Sequence, residues 1–124
     1  MSLEINIKPE ENYGKRISIA GSLDNNTAPE LQQRIDDVIN DAVATTIIDF
    51  KKLDFLSSAG LRVIFKTKKF MDNNGGKLLL VNLQPQIKKV FEIIKAVEGM
   101  NVFKDQDEMD EYLTDMQNKV KDGD

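Results

Sequence analysis

The chain has 124 residues, none of which is a histidine or a cysteine. Without histidine it can build neither a Ser-His-Asp triad nor an imidazole general base. Without either residue type, the usual ligands of zinc, iron–sulfur clusters and haem are missing. Catalysis would have to rest on carboxylates, lysines or an oxygen-bound metal. These absences count against an enzyme, and we expect the protein to use no metal and no cofactor.

Long apolar runs and a strong excess of basic charge are also missing. No stretch approaches the roughly 18 apolar residues of a membrane-spanning helix, and residues 1–5 lack the basic start of a signal peptide. These absences predict a cytoplasmic protein. The net charge is −4, so nothing attracts the whole molecule to nucleic acid. The lysine pairs at 51–52, 68–69 and 88–89 are interpreted as solvated surface.

The first half of the sequence begins with alternating apolar residues, the period of a half-buried strand. Residues 3–8 and 15–21 are predicted to pair as an antiparallel hairpin across the turn-rich segment between them. Thr27 is predicted to cap a helix with Glu30 reaching back to it, and the helix is expected to end near Asn40 or Asp41. Its apolar stripe is Leu31, Ile35, Val38 and Ile39.

Two further strands flank a second helix. Residues 45–50 are β-branched and suit an interior strand, which should pass through a turn into a helix from Ser57 or Ser58 to about Asn73. The residues predicted near the buried face of that helix are Leu61, Ile64, Phe65 and Met71. Residues 77–82 then form another buried strand.

The last third repeats the alternation of helix and strand. Pro85 opens a third helix, residues 101–103 form a short strand, and residues 107–119 form a final amphipathic helix. The predicted core residues of the two helices are Ile87, Val90, Phe91, Ile94, Met109, Tyr112, Leu113 and Met116. Residues 3–119 are expected to form one domain, followed by a frayed tail at residues 120–124.

The resulting order is β-β-α-β-α-β-α-β-α. An antiparallel hairpin followed by alternating strands and helices indicates an α/β fold. We predict a mostly parallel, mixed sheet of about five strands with four helices packed on it.

The most informative chemistry lies at the start of the second helix. A serine at the helix N-cap satisfies a free backbone N–H, and Ala59 and Gly60 are small enough to let a partner approach. Helix N-termini favour anions, so a phosphoserine would be tolerated there and would add about −1.5 to −2 charges. Spacing alone is not specific and favours the simpler interpretation, in which the serine serves only as a helix cap.

Two segments resemble the bacterial anti-sigma factor antagonists of the STAS domain family. GSLDNNTA at residues 21–28 is similar to the family's G-x-L-D-x-x-T/S-A. IIDF at residues 47–50, followed by LDFLSSAGL at residues 53–61, is similar to its hydrophobic strand and L-x-F-x-D-S-S/T-G-L. Together, in order and at the right separation, the segments carry a likeness that extends over residues 3–119.

The resemblance implies a protein–protein switch rather than an enzyme. In the family, the unphosphorylated antagonist binds an anti-sigma factor that is also a serine kinase, and this frees a sigma factor for transcription. The kinase binds ATP and phosphorylates a serine at the helix start, which ends the interaction. A metal-dependent serine phosphatase restores the antagonist.

Carried over by position, the resemblance makes Ser58 the phosphoacceptor and Asp24 an acidic residue that contributes to kinase recognition. The expected partner-binding surface consists of Asp24, Asn25, Asn26, Ser57, Ala59, Gly60 and Arg62. Asp49, at the end of the central strand, is expected either to support the loop by hydrogen bonding or only to cap a turn.

The sequence departs from the family pattern beside the acceptor, because Ser57 stands where an aspartate is usual. Ser57 is therefore a rival phosphorylation site. The first alternative is a STAS module that binds its partner without phosphorylation, as a scaffold, a sensor or a transporter-accessory subunit. The second is a small-molecule-binding or enzymatic domain, against which the lack of a Gly-rich phosphate loop counts.

Overall fold

The computed structural model describes residues 2–93 and 99–122. Nine elements follow one another in the predicted order: β1 (Leu3–Glu10), β2 (Gly14–Leu23), α1 (Ala28–Val38), β3 (Thr45–Leu56), α2 (Ser58–Asn73), β4 (Lys77–Val81), α3 (Pro85–Ile93), β5 (Asn101–Phe103) and α4 (Gln106–Asp122). The final helix continues to Asp122, although a frayed tail was expected from residue 120 onwards. No helix in the described ranges is long and apolar enough to cross a membrane.

The five strands form one mixed sheet in the order β1-β2-β3-β4-β5. β1 and β2 are antiparallel, with Ile5 opposite Ile19 and Ile7 opposite Ile17. The pairs β2–β3, β3–β4 and β4–β5 are parallel. This confirms the predicted hairpin followed by a parallel sheet. Strands that are consecutive in the sequence are therefore neighbours in the sheet. After the hairpin, each connecting helix places the next strand beside the preceding one.

Helices cover both faces of the sheet. On one face, apolar residues of α1, α2 and α3 pack with β2, β3 and β4 in the main core, which includes Ile17, Leu31, Ile48, Phe50, Leu61, Ile64, Leu80, Ile87 and Phe91. On the other face, α4 covers a smaller cluster of Ile47, Leu79, Val81, Phe103 and Met109. Thr46 and Leu78 are also buried, so the middle strands have buried residues in succession, as interior parallel strands require.

Among the residues that the structure describes, the predicted helix stripes are confirmed with one exception. Leu61, Ile64 and Met71 of α2 are buried, but Phe65 is 37% exposed, and Val63 and Thr67 take its place on the buried face. Phe65 was therefore wrongly predicted near the core. Two other predicted core residues, Ile94 and the side chain of Met116, lie outside the described residues.

β3 is longer than predicted, because residues 51–56 continue the strand instead of forming a turn. The pairing of β2 with β3 is interrupted twice. Between the pairs Ser18–Asp49 and Ala20–Lys52, β3 contains one residue more than β2, and the register shifts again between Gly21 and Ser22 of β2. Such bulges add unpaired residues and break the alternation of buried and exposed side chains. The buried residues of this segment accordingly recur every third position, at Phe50, Leu53 and Leu56, so residues 51–56 do not show a strand pattern.

Candidate functional site

The extension of β2 and β3 places the candidate site at one end of the sheet. β4 pairs with β3 only as far as Asp49, whereas β2 and β3 remain paired up to Leu23 and Leu56. Ser57 N–H then donates to the carbonyl of Leu23 at 2.9 Å. Asp24 and Ser57 therefore leave the sheet side by side. The structure thus brings together the two sequence segments that were singled out for their resemblance.

Asp24 organises the loop between β2 and α1. Its Oδ1 accepts hydrogen bonds from the backbone N–H groups of Asn26 at 2.8 Å and Thr27 at 3.0 Å. Its backbone carbonyl accepts from Ala28 N–H at 2.8 Å. The pKa of Asp24 is lowered by these hydrogen bonds from Thr27 and Asn26, because they favour the carboxylate over the neutral acid. The carboxylate stays ionised, and the side chains of Asn25 and Asn26 remain exposed beside it.

Thr27 does not cap α1 with its side chain, so the predicted capping box with Glu30 is wrong. The Thr27 hydroxyl instead donates to the carbonyl of Ser22 at 2.7 Å and accepts from Asp24 N–H at 2.8 Å. The backbone N–H of Thr27 donates to Asp24 Oδ1. Thr27 is buried, and its hydroxyl links the end of β2 to the loop by hydrogen bonds. The capping prediction failed because the partners of Thr27 precede it in the chain.

The two serines at the start of α2 have different environments. Ser57 is the N-cap: its backbone is extended, and its Oγ accepts from Gly60 N–H at 3.2 Å. Its side chain is half-buried. Ser58 is the first residue of the helix and is exposed. Among the described residues, nothing forms a hydrogen bond with the Ser58 hydroxyl. A partner can therefore reach the Ser58 Oγ without dismantling the cap.

Gly60 was expected on the partner-binding surface, but it is buried. A Cβ at this position would lie 2.6 Å from Leu23 Cγ and 2.9 Å from Leu56 Cδ1. The missing side chain lets the first turn of α2 lie directly on the ends of β2 and β3. Gly60 thus sets the position of Ser58 by packing rather than by offering surface. Ala59 is half-buried against the same core.

Beyond Ser58, exposed residues continue along α2. Arg62 is exposed one turn after Ser58, as expected. Phe65 follows one turn later, and Phe55, at 49% exposed, lies three residues before Ser58. Sequence reasoning missed both phenylalanines because it assigned apolar side chains to the core. The spacing of Phe65 from Ser58, seven residues or two helical turns, is the signal that could have placed it on the same face.

Asp49 forms hydrogen bonds, but not to the turn that carries Ser58. Its carboxylate pairs with Arg16 of β2 at 2.7 Å and accepts from Lys51 N–H at 2.9 Å and Asn82 Nδ2 at 3.1 Å. Burial acts to raise the pKa of Asp49, but these three donors outweigh it and lower the pKa. Asp49 therefore stabilises the first bulge of β3 and holds Asn82, the residue that follows β4, by a hydrogen bond. Its expected support of the Ser58 loop is not direct.

The assembled site presents an accessible hydroxyl at a helix start, an ionised carboxylate in the adjacent loop and an arginine one turn away. Ser58 is exposed, so its hydroxyl is accessible to an external enzyme. Within the described ranges, no group of three or more aspartate or glutamate side chains could hold a metal ion.

Comparisons with known proteins agree on one family. The family model of the STAS domain matches residues 6–109. A Bordetella bronchiseptica protein, BtrV, provisionally named an anti-sigma factor antagonist, is 31% identical over 75 residues, which are 60% of this chain and 65% of its own. The matched segment thus spans just under two thirds of that relative. The anti-sigma-B factor antagonist of Bacillus subtilis is 30% identical over 93 residues, which cover 75% of this chain and 84% of its own.

Solved structures show the same fold. The Bacillus anti-sigma factor antagonist SpoIIAA in its unphosphorylated form is 21% identical, with a TM-score of 0.71 over 92% of this chain and 98% of its own. The phosphorylated form of SpoIIAA also gives a TM-score of 0.71 at 21% identity, over 89% of this chain and 99% of its own. Both forms of that protein therefore share the fold of this chain.

Proposed function

Since this chain belongs to the STAS domain family, we propose that it acts in the cytoplasm as an anti-sigma factor antagonist switched by phosphorylation of Ser58. The unphosphorylated protein binds an anti-sigma factor that is also a serine kinase, and this frees a sigma factor. The kinase supplies ATP, and a metal-dependent serine phosphatase reverses the modification. The chain itself is a regulatory binding protein and catalyses no step.

The observation that carries the proposal is the difference between the two serines. Ser57 Oγ is held at the N-cap by Gly60 N–H, whereas the Ser58 side chain is exposed at the first helical position. Ser57 Oγ is half-buried and already accepts a hydrogen bond, so it is less accessible to a kinase than Ser58 Oγ. A phosphate on Ser58 would lie at the positive end of the α2 dipole, which stabilises it. We therefore assign Ser58, rather than its rival Ser57, as the acceptor.

Electrostatic repulsion explains how phosphorylation could end binding without refolding. The phosphate adds about −1.5 to −2 charges at a surface that also carries the ionised Asp24. A dianion pressed against carboxylates of the partner is both desolvated and repelled. A penalty of about 3–4 kcal/mol would weaken binding by two to three powers of ten. The shared fold of the two SpoIIAA forms supports a switch of this kind.

The test uses the host's purified anti-sigma factor kinases with ATP and Mg²⁺, followed by intact-mass analysis. We expect a product heavier by about 80 Da, the mass of one phosphate. A Ser58→Ala variant should show no increase, whereas Ser57→Ala should still be modified. Treatment with a metal-dependent serine phosphatase should return the original mass. Modification that persists in Ser58→Ala would refute the assignment to Ser58.

A second candidate function is a STAS scaffold, sensor or transporter-accessory subunit that binds its partner without phosphorylation. The observation that favours it is Ser57, which stands where the family pattern has an aspartate before the acceptor. The same mass experiment separates the two functions. If the wild-type protein binds an anti-sigma factor kinase and is not phosphorylated by it, the scaffold is the better description.

A further inference from the structure

The exposed face of α2 carries a row of side chains that begins at the candidate phosphoacceptor. Ser58, Arg62, Phe65 and Lys69 follow one another at intervals of four, three and four residues, so they lie on one side of the helix. We call these four residues the α2 stripe. All four are exposed, and the row extends about 16 Å along the helix axis at 1.5 Å per residue.

The α2 stripe is basic in a protein that is acidic overall. The net charge of the chain is −4, yet the stripe contains Arg62 and Lys69, and Lys66 is exposed next to Phe65 in the sequence. Among the side chains that the structure describes, no carboxylate lies within ion-pair distance of these three; Asp72 is paired with Lys68 instead. The positive charge of the stripe is thus free to interact with another molecule.

Phe65 supplies an apolar centre to this basic row. It is 37% exposed and lies between Arg62 and Lys69. Aromatic residues and arginine are the types that most often dominate binding energy at protein interfaces, with charged residues around them. An exposed phenylalanine flanked by unpaired cations suits a partner surface that offers an apolar pocket bordered by carboxylates.

We propose that the α2 stripe is the docking surface for an acidic patch of the anti-sigma factor, with Phe65 inserted into an apolar pocket of that partner. This inference rests on the proposed function. It also explains the direction of the switch, because the carboxylates that attract Arg62 and Lys69 would repel a phosphate on Ser58. Arg62, four residues after Ser58, would in addition pair with the phosphate and be lost to the partner.

The experiment measures the dissociation constant of the complex with an anti-sigma factor that binds the unphosphorylated wild type. We expect Phe65→Ala to weaken binding by about tenfold or more, as at an interface hot spot. Phe70→Ala is the matched control, since Phe70 is on the same helix and 38% exposed but lies off the stripe. It should change the dissociation constant by less than about twofold.

The charge of the stripe is tested separately. The double variant Arg62→Glu and Lys69→Glu should weaken binding by about tenfold or more and remove most of its dependence on salt. The control is Lys8→Glu, which also replaces an exposed positive charge by a negative one but lies on β1. It should have little effect on the dissociation constant. Circular dichroism and urea midpoints of every variant establish that loss of binding is not loss of folding.

Three outcomes would overturn the inference. If Phe65→Ala and the double charge variant bind like the wild type while Ser58 phosphorylation still abolishes binding, the α2 stripe is not the docking surface and the proposed function stands. If the wild type binds none of the host's anti-sigma factors, the proposed function fails and the inference with it. If sedimentation shows a dimer of this chain that Phe65→Ala dissociates, the occupant is a second copy instead.

Discussion

Replacing Gly60 by alanine adds one methyl group where the first turn of α2 lies on two buried leucines. The new Cβ would lie 2.6 Å from Leu23 Cγ, 2.9 Å from Leu23 Cδ2 and 2.9 Å from Leu56 Cδ1. Real Cβ atoms essentially never show separations below 3.0 Å. Both leucines are buried in the main core, so neither can turn aside into solvent. The first turn of α2 must therefore lift away from the sheet, or the leucines must leave their preferred rotamers.

The size of the effect follows from two opposing contributions. Overpacking of a well-packed core costs about 1–3 kcal/mol. Alanine favours a helix interior over glycine by up to about 1 kcal/mol, and by less in the first turn, where Gly60 lies. We expect a net loss of about 1–2 kcal/mol in the free energy of unfolding. With a urea slope of about 2 kcal/mol/M, the midpoint should fall by about 0.5–1 M.

Equilibrium unfolding in urea, followed by far-ultraviolet circular dichroism, measures this loss. Ser58→Ala is the matched control, because it changes an exposed side chain two residues away and should alter stability by less than about 0.5 kcal/mol. Gly60→Val should destabilise more than Gly60→Ala. The packing argument is refuted if Gly60→Ala unfolds at the same urea concentration as the wild type or at a higher one.

Three further predictions concern the hydrogen bonds around the site. Ser57→Ala removes the N-cap acceptor and should cost about 1 kcal/mol in urea unfolding, whereas Ser57→Asp should retain most of the stability; equal loss in both would contradict the cap. Thr27→Val removes two hydrogen bonds of a buried hydroxyl and should cost about 1–3 kcal/mol, while Thr27→Ser, which keeps the hydroxyl, should cost clearly less. The pKa values of Asp24 and Asp49 are both lowered in the folded state. The two carboxylates therefore stabilise the fold at pH values above their unfolded-state pKa of about 4. This stabilisation is lost as the pH falls through their folded-state pKa values. Urea midpoints measured down to about pH 2 should therefore decrease less steeply below pH 4 for Asp49→Asn than for the wild type; an identical acid slope would show that the Asp49 carboxylate does not contribute.

Residue patterns over short distances predicted most of the fold. Alternating isoleucines placed β1 and β2, and the apolar stripes of α1, α3 and α4 lie where a period of 3.6 residues put them. These patterns succeed because burial on one face of a strand or a helix is repeated within the element itself. The serine at the helix start was identified for the same reason, since a cap depends on residues within one turn.

The same reasoning failed where a residue's neighbours come from elsewhere in the chain. The two bulges of β3 depend on its pairing with β2, so residues 51–56 looked like a turn. Phe65 lies on a face of α2 that the sheet does not cover. It was predicted near the core only because its side chain is apolar. Asp49 is held by Arg16 and Asn82, each 33 residues away in sequence.

At the site itself, the sequence alone determined that a serine begins α2 and that Gly60 follows it within one turn. Only the tertiary structure decided which serine is accessible. The extended ends of β2 and β3 hold Ser57 against the Leu23 carbonyl, and the missing side chain of Gly60 lets α2 pack on Leu23 and Leu56. Ser58 is exposed as a result. Its accessibility is a property of packing between segments more than 30 residues apart, which no local pattern encodes.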